Sequence, residues 1–418
     1  MMSMQTIYDV TMAGKARQSN KLPLDHWLLV PSLVLLMLGL VMVASASISI
    51  AEQQTGEPFY YFIHQAVYVF LGMSLAFIVV RIPMAMWQMI GPYLIITGVF
   101  FLVLLFVPGV GKEVNGSLRW LALGPFNLQV SELVKLFVII YLAGYLVRHS
   151  EAVRNDAGGF LRPVALLMLL SLLLLLEPDF GAVAVMMVTA MGMMWLGGAR
   201  MFQFILLGFS VIATLGLLAV AAPYRMERLT TFMNPWADPF NSGFQLTQAL
   251  IAFGRGEWFG VGLGASVQKL FYLPEAHTDF LFAVLAEELG LSGVVLVIGL
   301  FFIIVMRALS IGRRAQKLGE NFVAYIAYGL GIWIALQAFI NIGVNMGVLP
   351  TKGLTLPLMS YGGSSMMVMC VAIGLLLRAG IEVNAAAIGN HRAATQKKKT
   401  PSRQQRQQKF QFNFWRKG

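Results

Sequence analysis

Charged side chains make up only 12% of this sequence, about half of what a soluble domain carries. Those set against apolar runs stand out as candidates for chemistry, because each costs roughly 2.5 to 3.5 kcal/mol at membrane depth. Asp279 follows Pro274-Glu275-Ala276-His277-Thr278, where a long loop gives way to an apolar run of helix length. An aspartate in a first helical turn ordinarily serves the helix dipole. A carboxylate held partly dehydrated at such a boundary could equally act as a general base. Glu132 and Lys135, spaced i and i+3, can pair on one helix face, either as a structural ion pair or as part of a site. Glu287 and Glu288 lie about 12 to 14 Å further along the helix that follows Asp279, rotated from it by about 80° and 180°. That placement suits packing or conformational roles better than a second catalytic carboxylate.

Other chemistries find little support. Cys370 is the single cysteine, so neither an intrachain disulfide nor a cysteine-based metal site can form. The five histidines are far apart, with no HExxH pair, which argues against zinc. Gly260, Gly262 and Gly264 form a GxGxG fragment without the strand and helix of a dinucleotide fold. Gly111-Lys112 is not a phosphate loop, since Phe106 and Glu113 occupy the positions that would need glycine and Ser or Thr.

The elements that must position these residues are membrane helices. Of the 418 residues, 58% are hydrophobic, and a bilayer core of about 30 Å needs about 20 apolar residues per span. Apolar runs of that length fall near 27–49, 60–80, 84–107, 132–147, 161–176, 180–197, 201–221, 279–306, 321–348 and 355–377, predicting an all-α polytopic membrane protein with about ten transmembrane helices. The first run could be read as a signal peptide, with Ala44-Ser45-Ala46 as its cleavage site, but Trp27 to Val43 is longer than such an apolar region usually is. With both termini in the cytoplasm, about 22 of the 30 lysines and arginines fall on the cytoplasmic side, as the positive-inside rule requires.

This orientation divides the chain into a cytoplasmic arm (1–24), a membrane domain (25–380) and a basic, unstructured cytoplasmic tail (381–418). The net charge of +11 is concentrated in that tail, where it reads as an anchor near anionic lipid rather than a nucleic-acid surface. Phe410, Phe412, Phe414 and Trp415 would strengthen such an anchor. On the outer face lie 108–131, the Glu177-Pro178-Asp179 turn and a long loop at 222–278, between the seventh and eighth spans. The loop's aromatic residues, among them Trp236, Phe240, Trp258 and Phe259, place it against the membrane interface.

Several separate segments, in order, resemble the SEDS family (shape, elongation, division and sporulation). They are Asn234-Pro235-Trp236-Ala237-Asp238-Pro239-Phe240, Gly243 to Gln248, Pro274 to Phe280, Pro350-Thr351-Lys352-Gly353-Leu354-Thr355-Leu356-Pro357 and Ser360-Tyr361-Gly362-Gly363-Ser364-Ser365. The likeness covers roughly residues 25–380. The Thr351 to Pro357 wording and Ser266-Val267-Gln268-Lys269-Leu270 are more similar to the family's division branch than to its elongation branch.

The resemblance implies a peptidoglycan glycosyltransferase in the bacterial cytoplasmic (inner) membrane at the division septum, polymerising lipid II beside a class B penicillin-binding transpeptidase and other division proteins. It makes Asp279 the catalytic base, and Glu132 and Lys135 the family's ion pair. Gln129-Val130-Ser131-Glu132 departs from the family's usual Gln-Pro-Ser-Glu, so the helix start there lacks its proline. Arg119 and Lys352, inside matched motifs, lead the cations that could meet a pyrophosphate, with Lys269 also available; each could instead anchor a lipid headgroup. Glu275, His277 and Ser364 complete the candidate substrate-binding or supporting set. No cofactor is assigned by the sequence; a divalent cation, Mg or Mn, could share the charge stabilisation, although no carboxylate cluster in the sequence calls for one. Rival readings are a lipid II flippase, for which buried charges are also expected, and a non-catalytic scaffold for the transpeptidase.

Overall fold

The computed structural model describes residues 24–114, 117–123, 126–200, 202, 208–209, 232–241, 243–270, 272–351 and 353–399. The chain begins with three long helices, α1 (His26–Thr55), α2 (Tyr60–Arg81) and α3 (Met84–Leu104). A three-stranded antiparallel sheet follows: β1 (Gly111–Val114), β2 (Ser117–Leu123) and β3 (Phe126–Gln129), in the order β1-β2-β3. Then come α4 (Val130–Arg148), the short α5 (Ser150–Asn155), α6 (Ala157–Leu176), α7 (Phe180–Leu196), α8 (Phe244–Gly256), α9 (Leu281–Lys317), α10 (Asn321–Asn345) and α11 (Gly363–Lys399). Eight of these helices are long and apolar enough to cross a membrane, and α7 is a shorter apolar helix.

Nine of the ten apolar runs read from the sequence therefore coincide with described helices, and the one at 201–221 lies outside the described residues. Three local expectations are corrected. The outer segment at 108–131 contains a small sheet, because its strands pair their backbones with one another, Trp120 opposite Gln129 and Ala122 opposite Asn127. The last helix starts at Gly363 and not near 355, since Gly353 to Gly362 forms a loop packed on α10. The same helix runs to Lys399, so the first part of the expected tail is helical; residues 400–418 lie outside the described residues.

Burial separates an inner bundle from a lipid-facing rim. Of the spanning stretches of α4, α10 and α11, 78%, 72% and 78% are buried, against 22% for α2 and α3, which turn residues such as Phe70, Phe77, Ile96 and Phe100 outward. Lipid tails are as apolar as leucine, so inner helices associate through close packing and polar contacts. At Gly374 of α11 a Cβ would stand 2.9 Å from the Ala76 carbonyl oxygen of α2, so only glycine permits that approach.

The long helix α9 is broken. Gly290 has φ 65° and ψ −162° inside it, which leaves helical hydrogen bonds unmade. The outer loop supplies the missing partners. Val261 and Gly262 donate to the carbonyls of Glu287 and Glu288, while Leu291 and Ser292 donate to those of Glu257 and Trp258. Two glycines of the GxGxG fragment serve this insertion: Gly262 through its bond to Glu288, and Gly260, which has φ +80° and where a Cβ would lie 2.1 Å from the Glu288 oxygen.

Candidate active site

Asp279 stands just before α9, at the end of the bundle that the distribution of basic residues assigns to the outside. Its surface is partly open, yet its carboxyl sits among enough protein atoms that burial, helped by Glu275 and opposed by Arg119, pushes it up to about 7. Gly353 closes one side: a Cβ there would meet Asp279 Oδ2 at 3.2 Å. Asp279's main-chain carbonyl accepts hydrogen bonds from Asn341 and Asn345 of α10, each at 2.9 Å.

Arg119 projects from β2 and donates through Nε to the Glu177 carbonyl (3.2 Å) and through Nη2 to the Pro178 carbonyl (2.6 Å). These bonds tie the sheet to the outer turn between α6 and α7. Glu177 is buried with neither carboxyl oxygen hydrogen-bonded, and burial, with Asp179 adding to it and Arg119 opposing, pushes it up to about 8. The one guanidinium therefore acts on both Asp279 and Glu177. A neutral Glu177 at pH 7 leaves more of that positive charge for an anion.

The Glu132–Lys135 pair is formed, Nζ to Oε1 at 2.8 Å, with both residues almost fully buried in α4. Lys135 also donates to Gln337 Oε1 (2.9 Å) and lies 5.3 Å from the centre of the Trp333 ring. Its donors are thus spent inside the bundle. Ser364 accepts from the backbone of Gln129 (2.8 Å) and donates to the Asn127 carbonyl (2.7 Å), so its hydroxyl holds the junction of β3 and α4 where the proline is missing.

The remaining candidates divide. His277 is buried between Tyr61 and Tyr361, with ring centres 4.6 and 5.5 Å away, and burial lowers its pKa against the pull of Glu275. It is a neutral packing ring. Glu275 is exposed and accepts from Thr278 Oγ1 (2.7 Å) in the turn before Asp279. Lys269 is turned inward onto Glu288 (2.8 Å) and Ser45 (2.9 Å), so it braces the loop and has no free charge for a pyrophosphate. Lys352 lies outside the described residues. Glu287 receives Ser266 Oγ and the amides of Val267 and Gln268, with Arg255 at 3.3 Å, in keeping with the conformational role read from its helix position.

Among the described residues no three His, Cys, Asp or Glu side chains come together to hold a metal ion, and Arg119 is a cation that acts on Asp279. Sequence reading missed the α10 amides Gln337, Asn341 and Asn345. Their signal was present as an i, i+4, i+8 polar series in an apolar helix.

A helical membrane bundle with an acid of raised pKa where a long loop enters α9, and a buried ion pair in α4, matches one family along most of its length. The family model described as cell cycle protein, FtsW/RodA/SpoVE, matches residues 26–385, and the chain belongs to that family. The probable peptidoglycan glycosyltransferase FtsW of Nitrosococcus halophilus is 61% identical over 358 residues, 86% of this chain and 92% of the relative. The protein of the same name from Legionella pneumophila is 56% identical, over 85% and 90% of the two chains. Among solved structures, a chain from a peptidoglycan synthase complex that coordinates polymerization and crosslinking superposes with a TM-score of 0.71 at 28% identity, covering 87% of this chain and 99% of that one. The rod shape determining protein RodA of Thermus thermophilus gives 0.64 at 26%, covering 87% and 98%.

Proposed function

We propose that this chain is an inverting peptidoglycan glycosyltransferase of the cytoplasmic membrane, acting at the division septum beside a penicillin-binding transpeptidase. The observation that carries the reading is Asp279, a carboxyl raised to about 7 at the outer end of the bundle, with Arg119 close enough to act on it. A base poised near the working pH combines a useful ionised fraction with the strength to take a proton. Relatives 61% and 56% identical along most of their length and named for this activity support the reaction class.

In the proposed step, the GlcNAc 4-hydroxyl of lipid II attacks the anomeric carbon of the growing strand. Its proton passes to Asp279, and the bond to undecaprenyl pyrophosphate breaks with inversion. The leaving group needs charge stabilisation, which Arg119 supports from β2. The test is purified protein in detergent, with and without its transpeptidase, incubated with lipid II and assayed for polymer on a gel. Polymer from wild type and none from folded Asp279→Asn is the expected result. Polymer that persists in Asp279→Asn removes the base, and no polymer under any condition turns the reading to flippase or scaffold.

A further inference from the structure

The apolar helix α10 carries three amide side chains, Gln337, Asn341 and Asn345, with relative exposures of 0%, 2% and 0%. Amides at this depth are costly unless bonded, and every one is. Gln337 Oε1 accepts from Lys135 Nζ (2.9 Å) and from Trp333 Nε1 (2.8 Å), while its Nε2 donates to the Thr355 carbonyl (3.2 Å). Asn341 Nδ2 donates to the carbonyls of Leu354 (2.6 Å) and Asp279 (2.9 Å). Asn345 Nδ2 donates to the Asp279 carbonyl (2.9 Å) and its Oδ1 accepts from the Ala283 amide (3.1 Å).

The ladder thus touches three separate parts of the site: the buried ion pair, the loop that brings Gly353 against Asp279, and Asp279's own backbone. Ala283, in the first turn of α9, turns its amide to Phe280 and Asn345, so two asparagines of α10 grip the Asp279 carbonyl. We propose that Gln337, Asn341 and Asn345 are positioning residues that set the height and direction of the Asp279 carboxylate. On this account Glu132 and Lys135 serve the reaction through Gln337 and the Thr355 loop, without touching substrate.

The inference rests on Asp279 as the base, and the test separates the two. Glycan polymerisation by the purified full chain is measured against lipid II concentration and pH for wild type, Asn341→Leu, Asn345→Leu and Gln337→Glu. The last is isosteric, keeps the acceptor for Lys135 and Trp333, and loses the donor to Thr355, so it remains informative if a leucine variant fails to fold. The expected result is a fall in kcat of roughly tenfold to a hundredfold, the scale of a misplacement of about 1 Å. KM stays within about twofold, because substrate contacts are untouched. The midpoint of the acid limb moves, because the carboxylate's surroundings change. Folded variants with wild-type kcat and an unmoved acid limb, or with a change in KM alone, overturn the ladder's role. Activity retained in Asp279→Asn overturns the base itself, whatever the ladder variants do.

Discussion

Asp279 carries its chemistry because of where it is held. Since only the ionised carboxylate accepts a proton, polymerisation is predicted to rise with pH through about 7 on its acid limb. The same shift has a consequence for stability. A carboxyl raised from 3.8 to about 7 favours the folded state at low pH, and that contribution is lost as pH rises through the folded value, for about 4 kcal/mol in all. Asp279→Asn cannot ionise, so it is expected to melt higher than wild type at pH 8, with the difference vanishing toward about pH 4; thermal unfolding in detergent measures this. Gly353 offers a second handle. Gly353→Ala puts a Cβ 3.2 Å from Asp279 Oδ2, which must give way by a few tenths of an ångström. Slower turnover with an unchanged melting temperature is the predicted outcome, measured as polymer formed per unit time.

At the scale of elements, the outer loop and α9 form one unit, joined by backbone bonds across the break at Gly290 and by Glu287 and Glu288. Gly256 lies at the join, where a Cβ would stand 1.9 Å from the Ala286 carbonyl oxygen, with nothing but backbone to move. Gly256→Ala is therefore expected to expel the loop from the break and to expose it to limited proteolysis, while the rest of the bundle stays folded. The ion pair of α4 behaves differently. Removing one partner leaves a buried charge alone, at about 3 to 5 kcal/mol, whereas removing both leaves none. Lys135→Met should thus lower the melting temperature well below that of the double variant Glu132→Gln, Lys135→Met, and a melting series of the singles and the double decides it.

For the molecule as a whole, hydropathy and the distribution of basic residues predict which side faces out. Cys370 is the single cysteine and is buried, so an introduced cysteine reports topology against a low background. A membrane-impermeant thiol reagent applied from outside is expected to label Leu263→Cys, exposed in the outer loop, and to miss Arg313→Cys near the inner end of α9. Labelling in the reverse pattern would invert the orientation and remove Asp279 from the outer face. The sequence alone marked the apolar runs, an expected orientation, and Asp279, Glu132 and Lys135 as candidates, because each rests on local signals: runs of about 20 apolar residues, cations between them, and charges set against that background. The roles of those three came from the likeness of their motifs to the family. Only the tertiary structure decided which cations are free. Lys269 and Arg119 were both candidate cations in the sequence, yet one is neutralised by Glu288 while the other acts on Asp279. The same holds for the break in α9, the β-strands at 111–129 and the grip of Asn341 and Asn345 on Asp279. Those depend on which backbone groups find partners, between neighbouring strands, across about 26 to 34 residues at the break in α9 and across 62 and 66 residues at Asp279, and periodicity and spacing carry no information about such pairings.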